Sequence, residues 1–85
     1  MRDKKTLMLM FGKVIRELRI ERGLSQETLA DLAQLTDRSH VSAIERGEKG
    51  PGINTVFALA EAFNVSASHI ISLVELELKS SDELE

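Results

Sequence analysis

Residue types capable of covalent or metal chemistry are sparse in this 85-residue sequence. There is no cysteine, which removes thiol nucleophiles, thiolate metal ligands and disulfides together and fits a cytoplasmic protein. The two histidines, His40 and His69, stand far apart and away from clustered acids, so no metal site is expected. Glu75 and Glu77 are two residues apart and diverge on a helix, so they do not form the carboxylate pair that hydrolysis needs. With no nucleophile–base pair and no cofactor motif, an enzyme, a cofactor and a small-molecule substrate are not expected. What remains is cationic and hydrogen-bonding chemistry, and it is unevenly placed. Residues 1–50 carry ten Lys/Arg against eight Asp/Glu, whereas residues 51–85 carry Lys79 against six acids. The formal net charge of −3 therefore hides a basic half suited to phosphates and an acidic end that points elsewhere.

Composition sets the frame for those residues. An apolar fraction of 42% with 29% charged residues describes an ordinary globular domain, and the length allows one core. A chain this short buries only about 60–65% of its unfolded surface, so close helix packing or dimerisation has to supplement the core. Three Phe with no Trp or Tyr leave few platforms for stacking unpaired bases, which argues against single-stranded nucleic acid. The apolar run Leu7–Phe11 is too short for a signal peptide or membrane span, so no membrane partner is expected.

Periodicity predicts five short helices and no strand. The first runs from about Leu7 to Arg22, with Phe11, Val14, Ile15 and Leu18 on one face and Gly23 as its left-handed stop. Ser25 caps the second, Gln26 to Ala33, whose expected buried side is Leu29, Leu32 and Ala33. A turn through Gln34, Leu35 and Thr36 leads to Asp37, the cap of a third helix ending at Arg46, with Val41 and Ile44 facing inward. Gly47 closes it, and Gly50-Pro51-Gly52 marks a loop. The fourth, about Ile53 to Phe63, is expected to bury Ile53, Val56, Phe57, Leu59 and Ala60 and to end on Asn64. Ser66 caps the fifth, Ala67 to about Lys79. Residues 1–79 thus form one domain, followed by an acidic tail, 80–85, expected to fray.

Helices two and three, joined by a short turn, have the form of a helix-turn-helix, whose second helix can enter the major groove of DNA. Ala30 and Ala33 are small enough for the helices to cross closely. The segments Phe11–Arg19, Glu21–Ala30, Val41–Gly47 and Leu59–Ser66 resemble the lambda-repressor/Cro-type (XRE-like) helix-turn-helix family, in order and with fitting caps. That resemblance spans roughly Phe11 to Val74 and implies an all-α, five-helix lambda-repressor-like domain acting as a double-stranded-DNA-binding transcription regulator. It places Arg38, Ser39, His40, Ser42 and Ala43 toward the bases. The side-chain chemistry agrees, since an arginine can bond guanine O6 and N7 together. It also places Gln26, Arg46, Lys49, Asn54 and Thr55 near phosphates, and makes Arg19 and Glu45 a structural ion pair between helices one and three. The segment Asp37–Arg46 is most similar to the controller proteins of restriction–modification systems, regulators of their own operons. One departure is visible: the turn is one residue longer than the family's usual spacing, and Gln34 or Leu35 stands where a glycine is common.

Ile70, Ile71, Leu73, Val74, Leu76 and Leu78 cover more of the fifth helix than one contact needs. Ile70, Ile71, Val74 and Leu78 are accordingly expected to form a homodimer interface, with Leu7 to Met10 extending that surface or the core. A dimer would read an approximate palindrome. The alternative is a protein-interaction module or antitoxin that kept the fold, favoured by the net acidity and the longer turn and opposed by the presence of Arg38, Gln26 and Lys49.

Overall fold

A computed structural model describes residues 3–84, and all regular structure among them is helical. The helices are α1 (Lys4–Glu21), α2 (Gln26–Leu32), α3 (Arg38–Glu45), α4 (Ile53–Phe63) and α5 (Ala67–Leu84). α1 starts three residues earlier than periodicity predicts because Asp3 caps it, accepting the Thr6 N–H at 2.7 Å. Ser25 caps α2 through the Thr28 N–H, and Ser66 receives the His69 N–H at 3.0 Å at the head of α5. Gly23 (φ 67°) and Asn64 (φ 58°) make the left-handed stops after α1 and α4. α5 does not end near Lys79: Ser80 to Leu84 contain no Gly or Pro to break it, and the helix continues. Glu85, the last residue of the expected frayed tail, lies outside the described residues.

α1 packs on α3 and α5, α2 on α3 and α4, and α4 on α5. Their shared core is Phe11, Val14, Ile15 and Leu18 with Leu29, Ala30 and Ala33, Val41 and Ile44, Val56, Leu59, Ala60 and Phe63, and Ile70 and Val74. Three residues expected in that core are outside it. Leu32 is 53% exposed, Ile53 70% and Phe57 56%. α4 turns Val56, Leu59, Ala60 and Phe63 inward at helical spacing, which leaves the Ile53–Phe57 stripe facing out. On the seven-residue α2, Ala30 takes the inward place that Leu32 was expected to share. Conversely, Ile70 and Val74, expected at a subunit interface, are 0% and 4% exposed and belong to the single-chain core.

The placing of α3 against α1 depends on one close approach. Gly12 lies in α1 against the end of α3, where an added Cβ would come within 2.7 Å of the Glu45 carbonyl oxygen. The turn between α2 and α3 places Gln34 in the left-handed region (φ 56°), and the Leu35 N–H bonds the Ala30 carbonyl at 2.8 Å. A glutamine held there bears a steric cost that glycine avoids. Gln34→Gly is therefore expected to raise stability by about 0.5–1 kcal/mol, read as a higher urea midpoint at unchanged m-value.

Candidate nucleic-acid interface

α3 is an eight-residue helix with its inner side filled by Val41 and Ile44 and its last residue, Glu45, turned toward α1. Arg38 and Ser39 are exposed at its start, while His40, Ser42 and Ala43 are half-buried along the same element. Asp37 holds the first turn. Its Oδ1 accepts the Ser39 N–H at 3.0 Å, the His40 N–H at 3.3 Å and the Ser39 hydroxyl at 2.5 Å. These bonds, the Ser39 hydroxyl's first, hold the Asp37 carboxyl below its usual range, so the cap is charged at neutral pH. Arg38 shares an open groove of about 410 Å³ with the carboxylates of Glu27, Asp31 and Asp37.

At the other end of α3 the guanidinium of Arg46 meets both oxygens of Glu48 at 2.9 Å and also donates to the Ser42 hydroxyl. That bidentate contact pulls the Glu48 carboxyl down and pushes the Arg46 guanidinium up. Both side chains are more than half exposed, so a competing anion can displace the carboxylate. Lys49 and Asn54 are exposed and Thr55 half-buried in the adjoining loop and first turn of α4. Arg46, Lys49, Asn54 and Thr55 thus sit on one continuous stretch directly after the outward face of α3.

A buried network fixes how that face is presented. Arg19 of α1 donates from Nε to Glu45 Oε2 at 2.7 Å and from Nη2 to Oε1 at 3.1 Å, and its Nη1 bonds the Leu24 carbonyl at 2.8 Å. The two side chains are 13% and 4% exposed. Gln26, expected near a phosphate, donates its amide to Glu45 Oε1 at 3.1 Å and so joins α2 to the same carboxylate. One glutamate at the end of α3 therefore ties that helix to both α1 and α2.

Two further ties have no counterpart in the sequence reading. Lys13 reaches Glu77 at 2.8 Å, joining α1 to α5. Arg22 stacks over Phe63 at 5.4 Å from the ring centre and donates to its carbonyl at 3.1 Å. Their partners lie 64 and 41 residues away along the chain, beyond the reach of any local pattern.

The sequence profile of the helix-turn-helix family (HTH_3) matches residues 15–70, which contain the whole α2–turn–α3 unit. The chain belongs to this helix-turn-helix family. It is 39% identical over 64 residues to a competence pilus inhibition repressor of Acinetobacter baylyi, covering 75% of this chain and 57% of that protein. It is 35% identical over 63 residues to the cryptic phage CTXphi transcriptional repressor RstR of Vibrio cholerae, covering 74% and 56%. The chain thus spans little more than half the length of these two repressors. Among solved helix-turn-helix structures, the restriction–modification controller protein C.AhdI from Aeromonas hydrophila superposes with a TM-score of 0.71 at 41% identity, covering 74% of this chain and 94% of that one. The wild-type controller protein C.Esp1396I gives 0.79 at 28% identity over 87% and 95%. The XRE-type family and the five-helix fold expected from Phe11 to Val74 both hold. No single helix among the described residues is long and apolar enough to cross a membrane.

Proposed function

We propose that this protein is a sequence-specific regulator of transcription that binds double-stranded DNA as a homodimer on an approximately palindromic operator, and that it controls its own promoter as restriction–modification controllers do. The observation that carries the reading is the outward face of α3, with Arg38 and Ser39 exposed at a capped helix start and Arg46, Lys49 and Asn54 following it. Arg38 bonds guanine O6 and N7, the loop and the start of α4 hold phosphates, and His40, Ser42 and Ala43 complete the contact surface. Selection from a pool of randomised duplexes tests this directly: an enriched inverted repeat is expected, and a pool that stays random would remove the proposal. Recognition helices about 34 Å apart place the half-site centres one helical turn from each other.

Arg46 has to exchange Glu48 for a phosphate when DNA arrives. Glu48→Gln frees the guanidinium and removes a repelling charge, so affinity is expected to rise about threefold to tenfold at low salt, with the gain shrinking as salt increases. A titration series at three ionic strengths checks it.

For the dimer, Ile71 (44% exposed) and Leu7 (46% exposed) line an apolar groove of about 450 Å³ between α1 and α5, with Leu78, Met8 and Pro51. Lys4 and Glu75 also line this groove with opposite charges, an arrangement a twofold-related copy would complement. Ile71→Glu is expected to leave the fold intact and shift the sedimentation profile to monomer. A dimer persisting in that variant would move the interface to another face, such as the exposed Ile53–Phe57 stripe.

A further inference from the structure

The Ser39 hydroxyl has a single proton, and its contact with Asp37 assigns that proton a direction. Ser39 Oγ lies 2.5 Å from Asp37 Oδ1, too close for two oxygens without a hydrogen between them. The Asp37 carboxyl is held ionised by its donors and has no proton to give. The same oxygen accepts the N–H groups of Ser39 and His40, so the hydroxyl contact is one part of a helix cap and not an isolated rotamer. The hydroxyl therefore donates to Asp37, which leaves its lone pairs to accept from an incoming group.

We infer that Ser39 meets DNA as a hydrogen-bond acceptor and selects, at the base it contacts, the amino bases adenine and cytosine over the keto bases guanine and thymine. This rests on the proposal that α3 enters the major groove. There, adenine (N6) and cytosine (N4) present an N–H donor, whereas guanine (N7, O6) and thymine (O4) present acceptors alone. An acceptor-only serine facing a keto oxygen leaves two acceptors opposed and desolvated. A serine with a free hydroxyl would rotate and accept any of the four bases. Asp37, which touches no base in this scheme, is thus a positioning residue: it turns a permissive side chain into a discriminating one. Arg38, a donor-only side chain one position earlier, has the opposite preference, so the two neighbours read complementary chemistry.

The test takes the duplex enriched from a random pool by the wild-type chain and by Ser39→Ala, finds the position whose preference differs, and titrates all four bases there against wild type, Ser39→Ala and Asp37→Gly. Glycine keeps a serviceable helix cap, and Asp37→Gly releases the hydroxyl. Wild type is expected to favour both A and C over both G and T by about fivefold or more. Ser39→Ala should level the four bases, and Asp37→Gly should recover binding to G and T while keeping A and C. Because each readout is a ratio between bases, the change of net charge in Asp37→Gly cancels. An enriched site at which wild type prefers G or T overturns the assignment, as does an enriched site that Ser39→Ala reads unchanged. Failure to enrich any duplex removes the DNA-binding proposal itself, and this assignment falls with it.

Discussion

Gly12→Ala is expected to cost about 3 kcal/mol of stability and to lower the melting temperature by roughly 15 °C, although alanine is the better helix former. The propensity gain of about 1 kcal/mol is outweighed because the new methyl meets backbone and not the end of a flexible side chain. It would lie within 2.7 Å of the Glu45 carbonyl oxygen and 2.9 Å of the Glu45 carbonyl carbon. α1 and α3 must then separate, and with them move the outward face of α3 and the loop that follows it. Total stability for a domain of this length is about 4–13 kcal/mol, so the loss is a large share. Thermal unfolding followed by circular dichroism measures it. A melting temperature within 3 °C of wild type would show that the two helices have room to spare.

Removing the Glu45 carboxylate should be nearly as damaging, at about 2–4 kcal/mol for Glu45→Ala. An exposed ion pair contributes little, but this one is enclosed: the glutamate side chain is 4% exposed and its arginine partner 13%. The substitution leaves the Arg19 guanidinium in a poorly solvated place with only the Leu24 carbonyl, and strips the Gln26 amide of its acceptor. The cost is therefore that of orphaned donors as much as of lost attraction. Glu45→Gln retains an acceptor and is expected to lose less than half as much. Urea midpoints of the two variants separate the effects, and equal losses would mean that charge alone holds the junction.

These two positions illustrate what the sequence discloses and what it withholds. Helix number, the caps at Ser25, Asp37 and Ser66 and the left-handed stops at Gly23 and Asn64 rest on local chemistry, and the structure contains them all. The sequence stretch around Gly12 signals the family but not the reason for a glycine, because the obstacle is backbone contributed by α3. Leu32, Ile53 and Phe57 are indistinguishable by type from core residues, and their exposure follows from which face of α2 and α4 the packing turns inward. The fifth helix is rich enough in apolar residues that any of several stripes would serve as the inward one. Packing on α1 and α4 assigns Ile70 and Val74 to the core and leaves Ile71 outside. The exposure of Arg38 and Ser39 was legible because a helix-turn-helix fixes which side of its second helix is free. Their bonding states were not, since the Asp37 grip on Ser39 and the Glu48 grip on Arg46 are matters of distance.

The central claim is that the exposed face of α3 reads double-stranded DNA. Fluorescence anisotropy of the full chain against its enriched duplex and against a scrambled duplex, at two salt concentrations, tests it most directly. Binding to the enriched duplex is expected to be on the order of a thousandfold tighter than to the scrambled one and to weaken steeply with salt. Equal weak binding to both, unchanged by Arg38→Ala, would contradict it.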